Sequence, residues 1–335
     1  MTISTINRRK LLATTASAGA AILARPMIGR ADTKEVLIAE PVHGTGYLPL
    51  YIGIAKNLFE DVAVKIVTIE TGAGHTNAVL SGAAFAFIGG PEHCAYAKIK
   101  GAELRAVVNC VDRGNVYYCA AKGQEPTGTD WPSYIKGKTI ATSGFGGTPN
   151  SITRFLLKKW NLDATNDVTL VETANSAILP AVRNKQAQIG CSTEPFITQG
   201  VRSGAWGEPF INIPKEMGPY AYSTFNVRLD TIQKDPELVR GFVRGMMKSL
   251  KFVQDNHDEA AELAKAQFPT MALDDLKATL NRSFADDMWS KDGTISPAAW
   301  DTAKSVVMGA GILKVDVKYD EIIDMSFVNG LKATL

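Results

Sequence analysis

Cysteine is scarce: four residues among 335, the first at Cys94. That is too few to staple a chain of this length into a disulfide scaffold. With none before Cys94, no lipid-anchored N-terminus is expected. Acid is missing from the first 31 residues, which hold Arg8, Arg9, Lys10, Arg25 and Arg30. The remainder has 31 basic against 34 acidic residues, so the whole-chain charge of +2 becomes −3 beyond position 31. A mildly acidic body gives no electrostatic case for nucleic acid or an anionic membrane surface. Beyond residue 31 no apolar run approaches the ~18 residues that a membrane helix needs. The phosphate signature GxxxxGK(S/T), the nucleophile elbow GxSxG and the metal spacing HxxxH are all missing. Nucleotide binding, triad hydrolysis and a compact zinc site are left without support, and no cofactor is expected.

What the N-terminus does contain is an export pattern. Arg8-Arg9-Lys10 precedes an uncharged stretch, 11–24, that is too short to span a bilayer. Gly29-Arg30-Ala31 places small residues where a signal peptidase reads, so cleavage is expected after Ala31. The paired arginines resemble a twin-arginine signal, with an ordinary Sec signal as the alternative. The mature chain, from Asp32, is expected to be soluble and periplasmic.

Along that chain strand and helix patterns alternate, which argues for parallel sheets with helices on their faces. Strand-like runs at 36–39, 64–69 and 85–88 are each followed by a glycine turn and a helical pattern. Runs at 104–111 and 116–121 flank Asp112-Arg113-Gly114-Asn115, a turn composition. On that reading Cys110 and Cys119 face one another across a hairpin, as a disulfide or as two buried thiols. Residues 124–133 form a boundary, after which the alternation restarts. A second irregular stretch covers 214–222, and the last hundred or so residues are mostly helical. The expected organisation is a signal at 1–31, a first lobe at 32–121, a second lobe at 122–215, and a return at 216–335 that completes the first lobe with C-terminal helices. Two crossings make a hinge, and ligands bind between lobes that close about such hinges.

Four glycine-rich turns lie at the carboxyl ends of candidate parallel strands, the edge that faces the ligand crevice in open α/β sheets. They span 43–47, 72–76, 89–93 and 143–148. Each opens a helix, whose free N–H groups suit an anion, although tight strand–helix turns need glycine for packing as well. The candidate ligand-binding residues are His43, Gly44 and Tyr47 in the first turn and Gly74 and His75 in the second. The third contributes Gly90, Glu92 and His93, and the fourth Ser143, Gly146, Gly147 and Thr148. Glu194, at another helix start, and Tyr222, near the return crossing, complete the set. Thr148 is expected as a helix N-cap, with Pro149 at the first helical position.

Several segments, in order, resemble the substrate-binding proteins of ABC importers of the nitrate/sulfonate/taurine and thiamine-pyrimidine-precursor type. They are 46–59 (GYLPLYIGIAKNLF), 78–82 (AVLSG), 85–89 (FAFIG), 137–140 (GKTI), 167–171 (DVTLV) and 194–196 (EPF). Ala83 and Gln188 stand where the family often has an acid. The resemblance covers nearly the whole mature chain. It implies an α/β type II periplasmic-binding-protein fold, with two lobes, a two-crossing hinge and a helical tail packed on lobe 1. It also implies a monomeric receptor, not an enzyme, that captures a small polar or anionic solute such as a sulfonate or carboxylate and docks on an inner-membrane ABC permease. An enzyme on the same scaffold, with His43 or His75 acting, and a ligand-presenting sensor subunit are the competing readings.

Overall fold

The computed structural model describes residues 34–70 and 73–335; the expected export signal lies outside them. The chain starts with β1 (Lys34–Glu40), α1 (Leu48–Ala55), β2 (Val62–Thr68), α2 (Gly74–Leu80), β3 (Ala86–Gly89), α3 (Glu92–Lys98) and β4 (Leu104–Arg113). It continues through β5 (Tyr117–Ala120), α4 (Trp131–Ile135), β6 (Thr139–Ser143), α5 (Thr148–Lys159), β7 (Thr169–Thr173), α6 (Ile178–Arg183), β8 (Ile189–Ser192), α7 (Phe196–Arg202) and β9 (Ile211–Asn212). After α8 (Ile213–Met217) comes β10 (Pro219–Arg228). The rest is helical: α9 (Leu229–Lys234), α10 (Pro236–Asp255), α11 (His257–Gln267), α12 (Leu273–Ala285), α13 (Pro297–Gly309) and α14 (Ser326–Lys332).

Two five-stranded sheets result, ordered β2-β1-β3-β10-β4 and β7-β6-β8-β5-β9. In each, three strands run parallel and one strand delivered from the other lobe pairs antiparallel with its neighbours. β3 and β8 are buried at every position, as strands covered on both faces should be. The helices follow their local signals. Asp235 caps α10 by accepting from Leu238 N at 3.3 Å, and Val239, Phe242, Val243, Met246, Leu250 and Val253 form its buried stripe. At α5 the cap differs from expectation. Gly147 precedes the helix, Thr148 is its first residue, and Ser143 Oγ accepts from Asn150 N at 3.1 Å.

The first lobe crossing falls earlier than the expected boundary near Lys122. β5 belongs to the second sheet, pairing with β8 and β9, so no hairpin forms across 112–115. Cys110 and Cys119 therefore sit in different sheets, and all four cysteines are buried free thiols. The crossings are 114–116 outward and 213–218 on return, and they pack side by side. Ile213 N donates to Val116 O at 3.1 Å. A Cβ on Gly114 would lie 2.6 Å from Ile213 Cγ2 and 2.9 Å from Tyr220 Cδ1, so only glycine lets the strands approach this closely.

The helical tail is not confined to lobe 1. α10 packs on α1 and β4, and α14 on α10 and β4, within the first lobe. However, α12 packs on α7 and α13 on α5, both in the second. Asp286, which follows α12, is buried and accepts from Tyr117 Oη at 2.8 Å and Asn212 Nδ2 at 3.1 Å. The tail thus ties the ends of β5 and β9 to the first lobe. No helix among the described residues is long and apolar enough to cross a membrane.

Within lobe 1, α1 and α10 meet through glycines. A Cβ on Gly245 would stand 2.2 Å from the Phe59 ring, which stacks on Phe242 at 5.5 Å. Gly245→Val should destabilise the protein by about 1–3 kcal/mol through overpacking. A urea-unfolding midpoint unchanged from wild type would show that Phe59 has room to move.

Candidate functional site

All six parallel strands end at one cavity of about 80 Å³ between the sheets. On the lobe 1 side it is lined by 41–47 after β1 (His43 and Thr45 excepted), Ile69 and Glu70 after β2, and Gly89, Gly90 and His93 after β3. On the lobe 2 side are 143–149 after β6 (Phe145 and Gly146 excepted), 173–175 after β7, and Thr193 and Glu194 after β8. Asn115 from the outward crossing and Tyr222 and Ser223 from β10 form the base. This is the carboxyl edge of both sheets, where chain reversal between neighbouring strands leaves a crevice. A space of that size holds several water molecules or one small solute.

The lobes touch across it. Thr148 Oγ1 on α5 donates to Glu92 Oε1 on α3 at 2.7 Å, and Ser176 Oγ donates to Glu70 Oε2 at 2.7 Å. Glu92 is fully buried. Burial pushes its carboxyl up to about 7, against the opposing pull of Thr148 and its own backbone N–H. Its Oε2 has no hydrogen-bond partner and lies 1.9 Å from where a Cβ on Gly90 would stand. Gly90 lines the cavity, so the carboxylate lies directly beneath a wall that only glycine leaves thin.

Of the expected residues, Gly44, Tyr47, His75, Gly90, His93, Ser143, Gly147, Thr148, Glu194 and Tyr222 line this space. His43, Gly74, Glu92 and Gly146 do not. His43 turns away: its Nδ1 meets Glu40 Oε1 at 2.9 Å, its Nε2 meets Gln267 O at 3.2 Å, and its ring packs on Tyr51 and Phe268. The hydrogen bond to Glu40 raises its pKa. Gly74 begins α2 behind His75. Gly146 joins Phe145 in a separate outer groove beside α2 and α3. Glu194 lines the wall, but its carboxylate is committed elsewhere. It accepts from Thr198 N and Oγ1 at 3.0 and 2.9 Å and from Arg282 Nε at 2.9 Å. Through Arg282 the same carboxylate anchors the tail.

His75 and His93 meet edge to face at 4.9 Å. Burial lowers the His75 pKa to about 2, with His93 adding to the effect, and lowers that of His93 to about 4. Both are neutral at ordinary pH. Neither ring nitrogen of His75 has a partner, whereas His93 Nδ1 meets Thr76 Oγ1 at 3.2 Å. Among the described residues, no group of three or more His, Cys, Asp or Glu side chains is placed to hold a metal ion. The polar lining residues outside the expected set include Asn115, Glu70 and Asn175. Asn115 carries no local signal beyond turn composition, and Glu70 and Asn175 follow strands that have no glycine immediately after them.

The sequence profile of the NMT1/THI5-like family matches residues 45–260, and the chain belongs to that family. It is 22% identical over 298 residues to YtlA of Bacillus subtilis (strain 168), described as a binding protein, covering 87% of each chain. A solved structure from Bordetella bronchiseptica RB50 is 21% identical with a TM-score of 0.76, over 89% of this chain and 97% of that one. The alkanesulfonate-binding protein SsuA from Xanthomonas axonopodis pv. citri, bound to MOPS, is 14% identical with a TM-score of 0.70, over 87% and 98%. The fold is that of the periplasmic binding proteins.

Burial of the Glu92 charge predicts a pH signature. The folded-state pKa is above the unfolded one, so this group's contribution is complete below about 4.5 and is lost as pH rises through about 7. Relative to wild type, Glu92→Gln should gain about 3 kcal/mol between pH 4.5 and 8. Thermal unfolding of both proteins across that range checks this, and parallel curves would refute it.

Proposed function

We propose that this protein is the solute receptor of an ABC importer, closing its two lobes on a small polar organic ligand. The observation that carries the reading is the cavity itself. Both sheets line it with their carboxyl edges, two adjacent crossings join the lobes, and hydrogen bonds span the mouth from Thr148 to Glu92 and from Ser176 to Glu70. A ligand that touches both lobes has more contacts in the closed state, and that differential affinity drives closure. The closed form is then the shape an inner-membrane permease reads. The family membership and the resemblance to importer binding proteins support this role.

Turnover finds little support in the site. His75 has no carboxylate or nucleophile bonded to either ring nitrogen, so it lacks the orienting partner that acid–base work uses. The receptor is taken as a periplasmic monomer, exported by the paired-arginine signal and cleaved near Ala31.

Two experiments test the reading. Small-angle scattering with and without ligand should show a smaller radius of gyration on binding. Gly144 lines the cavity, and a Cβ there meets nothing within 4 Å. Gly144→Leu should therefore leave thermal stability near wild type while weakening ligand binding at least tenfold; equal affinity would exclude this cavity. For export, replacing Arg8 and Arg9 together by lysine should leave precursor in the cytoplasm. Normal periplasmic recovery would assign the Sec route instead.

A further inference from the structure

The outer groove beside α2 and α3 is a space apart from the interlobe cavity, and at about 300 Å³ it is the larger of the two. Its walls come from three parts of the chain: the two lobe 1 helices, Phe145 and Gly146 on the turn after β6, and Ile312 after α13. That volume is of the order taken by pockets for small organic ligands. The ring of His93 stands between the two spaces and lines both.

Most of the wall is apolar. Among the described residues five large apolar side chains are exposed, and two of them, Ile99 at 47% and Phe145 at 61%, line this groove. Exposed apolar surface gathered in a concave place marks a binding site. Phe145 is also braced. The Arg154 guanidinium lies 5.1 Å from its ring centroid, and Arg154 is itself fixed by Glu172 Oε1 at 2.6 Å and Asn150 Oδ1 at 2.9 Å. The ring thus has a firm support on one side while most of its surface stays open.

The polar groups select the sign of the occupant's charge. No aspartate or glutamate lines the groove, and its one cationic side chain is Lys100. Lys98, two residues earlier, pairs with Glu103 at 3.2 Å and Glu321 at 3.6 Å. Among the described residues, Lys100 has no carboxylate within 4.0 Å of its ammonium. His93 adds no charge, because burial lowers its pKa to about 4. Tyr96, four residues before Lys100, lines the groove and carries a buried hydroxyl with no hydrogen-bond partner. Thr76 and Asn77 supply neutral polar groups that can donate or accept. A carboxylate would meet an unpaired ammonium and a spare O–H donor. A cation would meet Lys100 and no counter-charge.

We propose that this groove is a second ligand site, taking a small apolar acid whose carboxylate meets Lys100 and whose hydrocarbon body lies against Ile99 and Phe145. The site is independent of what the interlobe cavity holds.

Three probes that share one hydrocarbon body test it: 3-phenylpropionate, 3-phenylpropan-1-ol and 3-phenylpropylammonium, titrated calorimetrically into the purified protein at pH 7.5. The acid should bind at submillimolar concentration. The alcohol and the amine should each bind at least about threefold more weakly, the scale of one exposed ion pair. Lys100→Met keeps an apolar stem and should erase the difference between acid and alcohol. Phe145→Ala should weaken all three probes at least about threefold, through lost apolar contact. Both side chains are exposed, so both variants should keep the wild-type melting temperature. If either does not, the wild-type probe series decides alone. Equal affinity for acid and alcohol, or tighter binding of the amine, overturns the inference. So does binding that ignores both substitutions, which would place the probe in the interlobe cavity. Silence with all three probes also overturns it and leaves the groove to a macromolecular partner. None of these outcomes touches the receptor reading, whose cavity shares only the His93 ring with this groove.

Discussion

Everything in this molecule hangs on two strands of backbone lying side by side. At Gly114 the outward crossing presses against Ile213 and Tyr220 of the return, at distances that no side chain tolerates. That contact sets where the two sheets stand relative to each other. It lets β5 and β10 each enter the opposite lobe as an antiparallel insert. Because both inserts start at the same point, the parallel strands of the two sheets end facing one another, and the cavity is the gap between those ends. The buried Asp286, held by Tyr117 and Asn212, keeps the tail attached at this same place. The C-terminal helices are therefore part of the joint and not an appendage of one lobe.

Within the cavity the decisive balance is between donors and acceptors. A helix start is an anion site only while its N–H groups are free, and at α5 Asn150 N is taken by Ser143 Oγ and Ser151 N by Gly147 O. Glycine content alone says nothing about that balance. The same turn composition can cradle an oxyanion or cover a buried carboxylate such as Glu92.

Much of the architecture was legible in the chain because its signals are local. Each parallel strand is followed by a turn and a helix, so the runs at 36–39, 64–69 and 85–88 and the restart of the alternation after 133 correspond to the strands observed. The antiparallel inserts were not read correctly, for physical reasons. The start of β10 was read as irregular because Pro214, Gly218 and Pro219 break the pattern there, and further along the strand buries Thr224 and Asn226, which bond to Gly89 O and Phe87 O of β3. β5 was read as half of a hairpin because Asp112-Arg113-Gly114-Asn115 has turn chemistry, while its true partners lie some seventy to ninety residues further along. At the site, His43 and His75 had equivalent local contexts. The buried Glu40, three residues before His43, holds that ring away from the cavity together with Gln267 O, Tyr51 and Phe268. Gln188, where an acid is common in the family, caps the edge of β6 through Thr139 N at 2.8 Å.

Asn115 belongs to both the joint and the cavity. Its amide lies against Gly46, whose own carbonyl is gripped by Trp289 Nε1 at 2.9 Å. A point on a rotation axis barely moves while the rims swing through an arc. In the proposed receptor a contact at Asn115 therefore changes little as the lobes close, whereas the bonds from Thr148 to Glu92 and from Ser176 to Glu70, which join one lobe to the other, belong to the closed state alone.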